Sequence, residues 1–353
     1  MEETIIQEQA SIRDSIRRLN ESSTQILVVV DTGMRLVGVL TDGDIRRGIL
    51  ANIELEATVS TIMNREPTFV LEKDRGLIGE LIRSKRILAV PVLDDVGVVQ
   101  DLVYWHDLFP GDERSAREPR LRSNSVFLLA GGRGTRLRPF TNILPKPLIP
   151  IGEVPIVEII MRRFREAGFS QFILSLNYKA DMIRSYFAGH QGGYDVEYVQ
   201  EEEYSGTAGS LALVRSRIQD SLIVSNCDIL VNMDMAEFFE HHQACMNDAT
   251  IVGVMRHVEI PYGVMQIENG ALIDMKEKPV FDLIVNAGIY VLEPSVLRLL
   301  PEAGFLDMPD LLWKAKESGL KVGVYPIASD LVDIGHWDEY NLAVDRAHKM
   351  GLI

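Results

Sequence analysis

Cysteine is nearly absent from this chain: Cys227 and Cys245 are the only two in 353 residues. No CxxC and no Cys/His spacing surrounds either one. That argues against a disulfide framework and a thiolate metal site, and fits a reducing compartment. Long apolar runs are missing as well, since no stretch approaches the roughly 18–20 apolar residues of a membrane span. The opening MEETIIQEQASIRDS is acidic and has no apolar signal core, so a cytoplasmic protein is expected. Excess positive charge is also lacking. A formal charge of −15 argues against a general nucleic-acid or anionic-membrane surface.

One local absence runs the other way. No Asp or Glu occurs from Arg120 to Gly152, while Arg120, Arg122, Arg133, Arg136, Arg138 and Lys146 all fall there. A basic island in an acidic chain suggests a small polyanionic ligand; a solvated charge run is the bland alternative. Inside the island lies LLAGGRGTRLRPF, Leu128 to Phe140. It is not a Walker loop, because Thr135 and Arg136 follow Gly134 where Lys-Ser/Thr is needed. It is not a dinucleotide fingerprint either, since Leu137 stands at the third glycine, and a nicotinamide oxidoreductase fails on that count. It keeps the physics of a phosphate cradle. Glycines at 131, 132 and 134 let backbone N–H groups turn onto an anion, and Arg136 and Arg133 can add bidentate donors. Lys146 sits between Pro145 and Pro147, which restricts where its ammonium points.

Residues 1–109 read as a doubled unit, with copies of about 1–57 and 58–109. Shifting the sequence by 63 residues lays Asp31 on Asp94, Thr41 on Tyr104 and Asp44 on Asp107. An internal repeat of this length predicts two supersecondary units that bury their apolar faces on each other. The polar, Pro- and Gly-punctuated stretch 110–124 reads as a linker. From 125 to 353 strands and helices alternate, which predicts an α/β fold with a mostly parallel open sheet and ligands beyond the strands' carboxyl ends.

The segment GVLTDGD, Gly38 to Asp44, resembles the CBS domain, so the first part of the chain is expected to be an α+β CBS-domain pair. That resemblance implies an adenosine nucleotide at Thr41 and Asp44. Tyr104 and Asp101 depart from the pattern in the second copy, so a single site or a purely structural dimerising module are both open. A homodimer is expected from the same resemblance.

The segment LAGGRGTRLRPFTNILPKPLIPIGEVPI resembles the sugar-phosphate nucleotidylyltransferases, and later motifs arrive in that family's order. The resemblance implies a Rossmann-like, glycosyltransferase-A-like sheet. Leu129, Ala130, Gly131, Gly132, Gly134 and Thr135 would cradle a nucleoside triphosphate. Arg136 and Lys146 would neutralise charge at the phosphorus under attack. Gly206, Thr207, Ala208 and Gly209, in EEEYSGTAGSL, would approach base and ribose. Gly263, Glu277, Asn286 and Gly288 would meet the sugar, with Lys278 orienting the phosphate of a sugar 1-phosphate.

Asp228 closes LIVSNCD and Asp333 opens DIG, and two distant carboxylates can converge on one Mg²⁺. The family places its metal ligands at the matching positions. A helix or turn cap is the alternative for each. His241 and His242 are adjacent rather than four apart and read as surface or packing residues. His336 and Trp337 replace the Thr-Pro common after DIG, and His336 reads as a packing or rim residue.

The expected reaction transfers a nucleoside monophosphate to a sugar 1-phosphate with release of pyrophosphate. The whole arrangement resembles bacterial guanylyltransferases of the glucosamine-1-phosphate and mannose-1-phosphate types, including those of legionaminic acid pathways. This makes GTP the first choice and leaves UTP, dTTP and CTP open. No hexapeptide repeat follows, which argues against a fused acetyltransferase. A catalytically inactive adenine-nucleotide sensor is the alternative from another class.

Overall fold

The computed structural model describes residues 2–22, 26–85, 87, 89–108, 120–189, 194–328, 331–335, 340 and 344. Its amino-terminal part holds two small sheets. The first joins β1 (Ile5–Gln7), β2 (Ile26–Val30) and β3 (Leu36–Thr41), with helices α1 (Ile12–Ser22) and α2 (Asp42–Leu50). The second joins β4 (Val70–Leu71), β5 (Ala89–Leu93) and β6 (Val99–Tyr104), with α3 (Ile78–Lys85) and α4 (Trp105–Leu108). The shift of 63 carries β2 onto β5 and β3 onto β6 end to end. Bonds between the halves are reciprocal. Leu36 N–H donates to Gly97 O at 3.1 Å, and Val99 N–H donates to Met34 O at 3.0 Å. Val28, Val30, Ala89, Leu93 and Val99 share one core between the sheets. Each half is too small to bury its own apolar face, so the pairing supplies the missing cover.

Of the stretch expected as a linker, 110–124, residues 110–119 lie outside the described ones. Beyond it come β7 (Val126–Leu129), the ribbon of β8 (Pro150–Ile151) and β9 (Val154–Pro155), α5 (Ile156–Glu166) and β10 (Gln171–Leu176). Then follow α6 (Ala180–Ala188), β11 (Asp195–Gln200), α7 (Gly206–Gly209), β12 (Leu222–Asn226), β13 (Ile229–Val231) and α8 (Met235–Ala244). The last elements are β14 (Ala249–Glu259), the hairpin β15 (Val264–Glu268) and β16 (Ala271–Lys276), β17 (Val280–Leu292), α9 (Pro294–Leu297), α10 (Met308–Glu317), β18 (Val322–Ile327) and β19 (Leu331–Asp333).

The main sheet runs β11-β10-β7-β12-β17-β14-β18. β17 is antiparallel to both neighbours and every other pair is parallel. The expected mostly parallel sheet is therefore what forms. β7 shows why it is covered on both sides: Val126 and Leu128 enter one core and Phe127 the other. A strand's side-chain period of two feeds both layers, so its sequence reads as one apolar run. Helix α5 buries Ile156, Ile159, Ile160 and Phe164, and Gly168 at φ +92° ends it in the left-handed conformation that glycine tolerates. The stretch TAGSLALVRSRI gives only the single turn α7 and a 3₁₀ turn at Ser210–Leu213, not a full helix.

The amino-terminal unit packs on the end of this sheet. Met255 of β14 and Ala328, just past β18, join the core built from Ile12, Ile16, Leu40, Ile45 and Val59.

Candidate functional site

The glycine loop leaves the carboxyl end of β7. Ala130 is buried and its N–H donates to Ser175 O at 3.0 Å, which fixes where the loop begins. The three glycines then do different work. A Cβ on Gly131 would stand 2.8 Å from Glu201 Oε1. Gly134 has φ +58°, and its Cβ would stand 2.8 Å from Thr141 Cγ2 and 3.0 Å from Lys146 Cβ. Both are glycines because the fold crowds them. Gly132 is exposed, and a Cβ there would meet nothing within 4 Å. It is the open face of the loop, with Arg133, Thr135 and Arg136 exposed beside it and Leu137 buried as its anchor.

The loop is braced from below by residues that sequence reasoning missed. Thr141 Oγ1 donates to Gly134 O at 2.9 Å. Tyr178 Oη donates to Thr141 O at 3.1 Å, and Lys179 Nζ donates to Asn142 O and Ile143 O at 2.6 and 2.7 Å. The available signal was Asn-Tyr-Lys directly after a strand, at the end where ligands are held. The basic island does not act as one patch. Arg122 pairs with Glu240 at 2.8 Å and lies over the rings of Phe169 and Phe239 at 5.3 and 5.9 Å. It is a packing residue, because its guanidinium is absorbed before any ligand could reach it.

Lys146, on a 3₁₀ turn flanked by buried Pro145 and Pro147, forms an ion pair with Asp228 Oδ2. Asp228 follows β12. Asp333 ends β19 and pairs in register with Ile229, while Ile334 N–H donates to Asp228 O at 2.9 Å. The two aspartates, 105 residues apart in sequence, are thus brought to the same end of the β13–β19 ribbon. Asp228 Oδ1 is buried without a hydrogen-bond partner, and Asp333 Oδ1 accepts from Gly335 N–H at 2.6 Å. A buried carboxylate oxygen left open, with a second aspartate held close by the ribbon's backbone, fits a hard divalent cation that takes few protein oxygens and completes its shell with phosphate and water. No cluster of three or more His, Cys, Asp or Glu suited to a metal occurs among the described residues. Next to Asp228, burial pushes the Cys227 thiol well above its ordinary pKa, which keeps it an inert neutral group.

Gly206, Ala208 and Gly209 are buried. A Cβ on Gly206 would come within 2.4 Å of Leu306 O, and one on Gly209 within 3.0 Å of Gly304 O. The glycines of this segment let it pass close to the chain's own backbone at Gly304 and Leu306. Thr207 N–H and Oγ1 bond Asp307 Oδ1 at 3.0 and 3.2 Å. Glu201 is the missed residue here. It is 6% exposed, its Oε1 accepts from Ser175 Oγ at 2.6 Å and its Oε2 from Ser205 Oγ at 2.8 Å. A buried carboxylate therefore ties the underside of the glycine loop to the 205–209 segment. One Glu in the run Glu201-Glu202-Glu203 gave no sequence cue to its burial.

On the sugar side, Gly263 and Glu277 meet at the base of the β15–β16 hairpin, where a Cβ on Gly263 would lie 3.0 Å from Glu277 Oε2. Lys278 is exposed and takes φ +43°. Asn286 spends its side chain on Tyr290 Oη and Gly288 N–H, at 2.8 and 2.9 Å. Gly288 is buried at φ +69° against Asn226, so it is a packing glycine.

In the amino-terminal unit, Thr41 and Asp44 form a capping box at the start of α2. Thr41 N–H and Oγ1 donate to Asp44 Oδ2 at 2.8 and 2.6 Å, while Arg47 takes Oδ1 at 2.6 Å. Both oxygens expected to hold a ribose are thus engaged within the chain. His242 is 1% exposed, bonded to Thr250 Oγ1 at 2.8 Å and Glu293 at 2.9 Å, and His241 meets the Tyr325 ring edge-on. Both pack as expected. His336 and Trp337 lie outside the described residues.

Comparison with known proteins decides the family. Residues 125–349 match the family described as nucleotidyl transferase, and residues 2–51 match the CBS domain. The chain belongs to the nucleotidyl transferase family. Its nucleotidyl transferase part is 31% identical over 225 residues to the D-glycero-alpha-D-manno-heptose 1-phosphate guanylyltransferase of Aneurinibacillus thermoaerophilus, covering 62% of this chain and 96% of that protein. It is also 31% identical over 240 residues to a UTP–glucose-1-phosphate uridylyltransferase of Synechocystis, and covers 62% of this chain and 62% of that protein's length. Among solved structures, this nucleotidyl transferase resembles HddC from Yersinia pseudotuberculosis complexed with GMP-PN, with a TM-score of 0.50, 27% identity, and coverage of 63% of this chain and 99% of that one.

Proposed function

We propose that the chain transfers a nucleoside monophosphate from a nucleoside triphosphate to a sugar 1-phosphate, with GTP as the preferred donor and Mg²⁺ as the metal. The observation that carries this reading is the meeting of an open glycine loop after β7, a proline-held lysine paired with Asp228 after β12, and Asp333 on the adjoining strand β19. Both substrates are anions, and the attacking phosphate oxygen is already ionised, so no strong general base is needed. The protein must bring two repelling groups into line and offset the charge that develops.

In this reading the N–H groups around Gly132 and the Arg136 guanidinium receive the triphosphate. Lys146 leaves Asp228 for the α-phosphate as the nucleotide enters, so its charge is delivered where the bond forms. Asp228 and Asp333 hold Mg²⁺, which when bound neutralises triphosphate charge. Lys278 and Glu277 hold the phosphate and hydroxyls of the sugar. Guanylyl transfer is favoured because the Aneurinibacillus relative, whose length this chain nearly spans, and the GMP-PN-bound neighbour both point to guanine nucleotides. The Synechocystis relative supports UTP as the second choice. The test is a matrix of GTP, UTP, dTTP and CTP against mannose, heptose, glucosamine and glucose 1-phosphates, read as pyrophosphate release. Turnover with GTP and one sugar supports the reading; no release with any pair refutes it.

A further inference from the structure

Asp333 ends β19 and Asp228 directly precedes β13, and these two short strands form a ribbon separate from the main sheet. An isolated two-stranded ribbon is marginal on its own, so what anchors its ends decides how well the two carboxylates hold their spacing. At Leu331, the start of β19, Arg256 Nη2 donates to the carbonyl at 2.8 Å. Three residues earlier the chain is held by a different domain. Ala328 N–H donates to Asp42 Oδ1 at 2.9 Å, and Asp42 is the first residue of α2 in the CBS domain.

That contact is itself fixed. Asp42 Oδ2 accepts from Arg46 Nη1 at 3.1 Å. Arg46, 6% exposed, also pairs with Glu237 of α8 and stacks over the Tyr325 ring of β18 at 4.3 Å. A buried guanidinium held by two carboxylates and an aromatic face is costly to move, because any shift leaves a charge unpaired. Tyr325 is 1% exposed. Three residues of chain span at most about 11 Å, so Ala328 and Leu331 stay within that distance of each other.

We propose that Asp42 is a positioning residue for the metal-ligand strand: through Ala328 it sets where β19 presents Asp333, and Arg46 holds Asp42 in place. The proposal rests on the reading of Asp228 and Asp333 as metal ligands. It makes the CBS domain part of the active-site scaffold, irrespective of any ligand at Thr41 and Asp44.

The test measures Mn²⁺ binding to the full chain in the presence of pyrophosphate, by the loss of the free-Mn²⁺ resonance beyond that in a protein-free Mn²⁺–pyrophosphate control, so that no choice of base or sugar enters. The wild-type chain must first bind Mn²⁺ with pyrophosphate, and Asp333→Asn must lose it; failure here sinks the metal reading. Given that, Asp42→Ala is expected to weaken Mn²⁺ about tenfold. Asp42→Asn, which keeps an oxygen for Ala328 N–H, is expected to restore most of the affinity. Arg13→Ala breaks a second interdomain ion pair, to Asp282, that makes no hydrogen bond to Ala328. It is expected to lower the melting temperature without weakening Mn²⁺. If Asp42→Ala folds and binds Mn²⁺ like wild type, or if Arg13→Ala weakens Mn²⁺ equally, the positioning role is overturned.

Discussion

Gly132 and Gly134 are two residues apart, and the account predicts opposite consequences for the same methyl group. Gly134→Ala places a Cβ at φ +58° and within 2.8 Å of Thr141 Cγ2. The left-handed conformation costs an L-residue about 1–2 kcal/mol, and crowding a packed site adds about 1–3 kcal/mol. Together they give about 2–5 kcal/mol, or a fall in melting temperature of about 5–15 °C for a domain of this size. Gly132→Ala meets nothing, so its stability should stay within about 0.5 kcal/mol of wild type. Its methyl, however, would stand on the face that receives the phosphates, and misplacing a reacting group by about 1 Å costs on the order of 10²-fold in rate. Calorimetric melting and pyrophosphate release on the same two proteins separate the effects. A fully active Gly132→Ala would refute the phosphate cradle, and a Gly134→Ala with unchanged melting would refute the packing argument.

Other consequences are as direct. Arg136→Ala and Asp228→Ala should each lose on the order of 10²- to 10³-fold in turnover while circular dichroism shows the fold intact; near-normal rates would remove the assignment. Glu201→Ala strands the buried Ser175 hydroxyl and frees Ser205, and should cost about 1–3 kcal/mol of stability; a silent substitution in chemical denaturation would show that the carboxylate is no strut. Glu293 is held below the usual carboxylate range, first by its hydrogen bond with His242 and further by Ser221. A lowered folded-state value means that this stabilisation is complete above the unfolded pKa of about 4.3 and is lost as pH falls through the folded one. Glu293→Gln should therefore flatten the acid limb of melting temperature against pH, and an unaltered limb would contradict the linkage.

Much of the architecture was legible because it rests on period and repetition. The shift of 63 and the alternation of strands and helices are read directly from apolar spacing. The loop was legible because only glycine suits its crowded or left-handed positions. Two kinds of feature were not. Arg122 was counted with the ligand-binding cations, since sequence cannot tell a guanidinium over Phe169 and Phe239 from one in solvent. Glu201, Tyr178 and Lys179 escaped notice because their importance lies in contacts between distant segments. The same holds for Asp42 and Ala328, which are 286 residues apart. The glycines of 206–209 carried a real signal of close approach, and the chain's own backbone at Gly304 and Leu306 is one of the groups that comes close.

The most direct test of the central claim is the location of the metal. Crystals of the chain grown with Mn²⁺ and a slowly hydrolysed GTP analogue should give an anomalous peak between the carboxylates of Asp228 and Asp333, with Lys146 moved off Asp228 toward the phosphates. A peak elsewhere, with the two aspartates unliganded and Lys146 still paired to Asp228, would contradict the account.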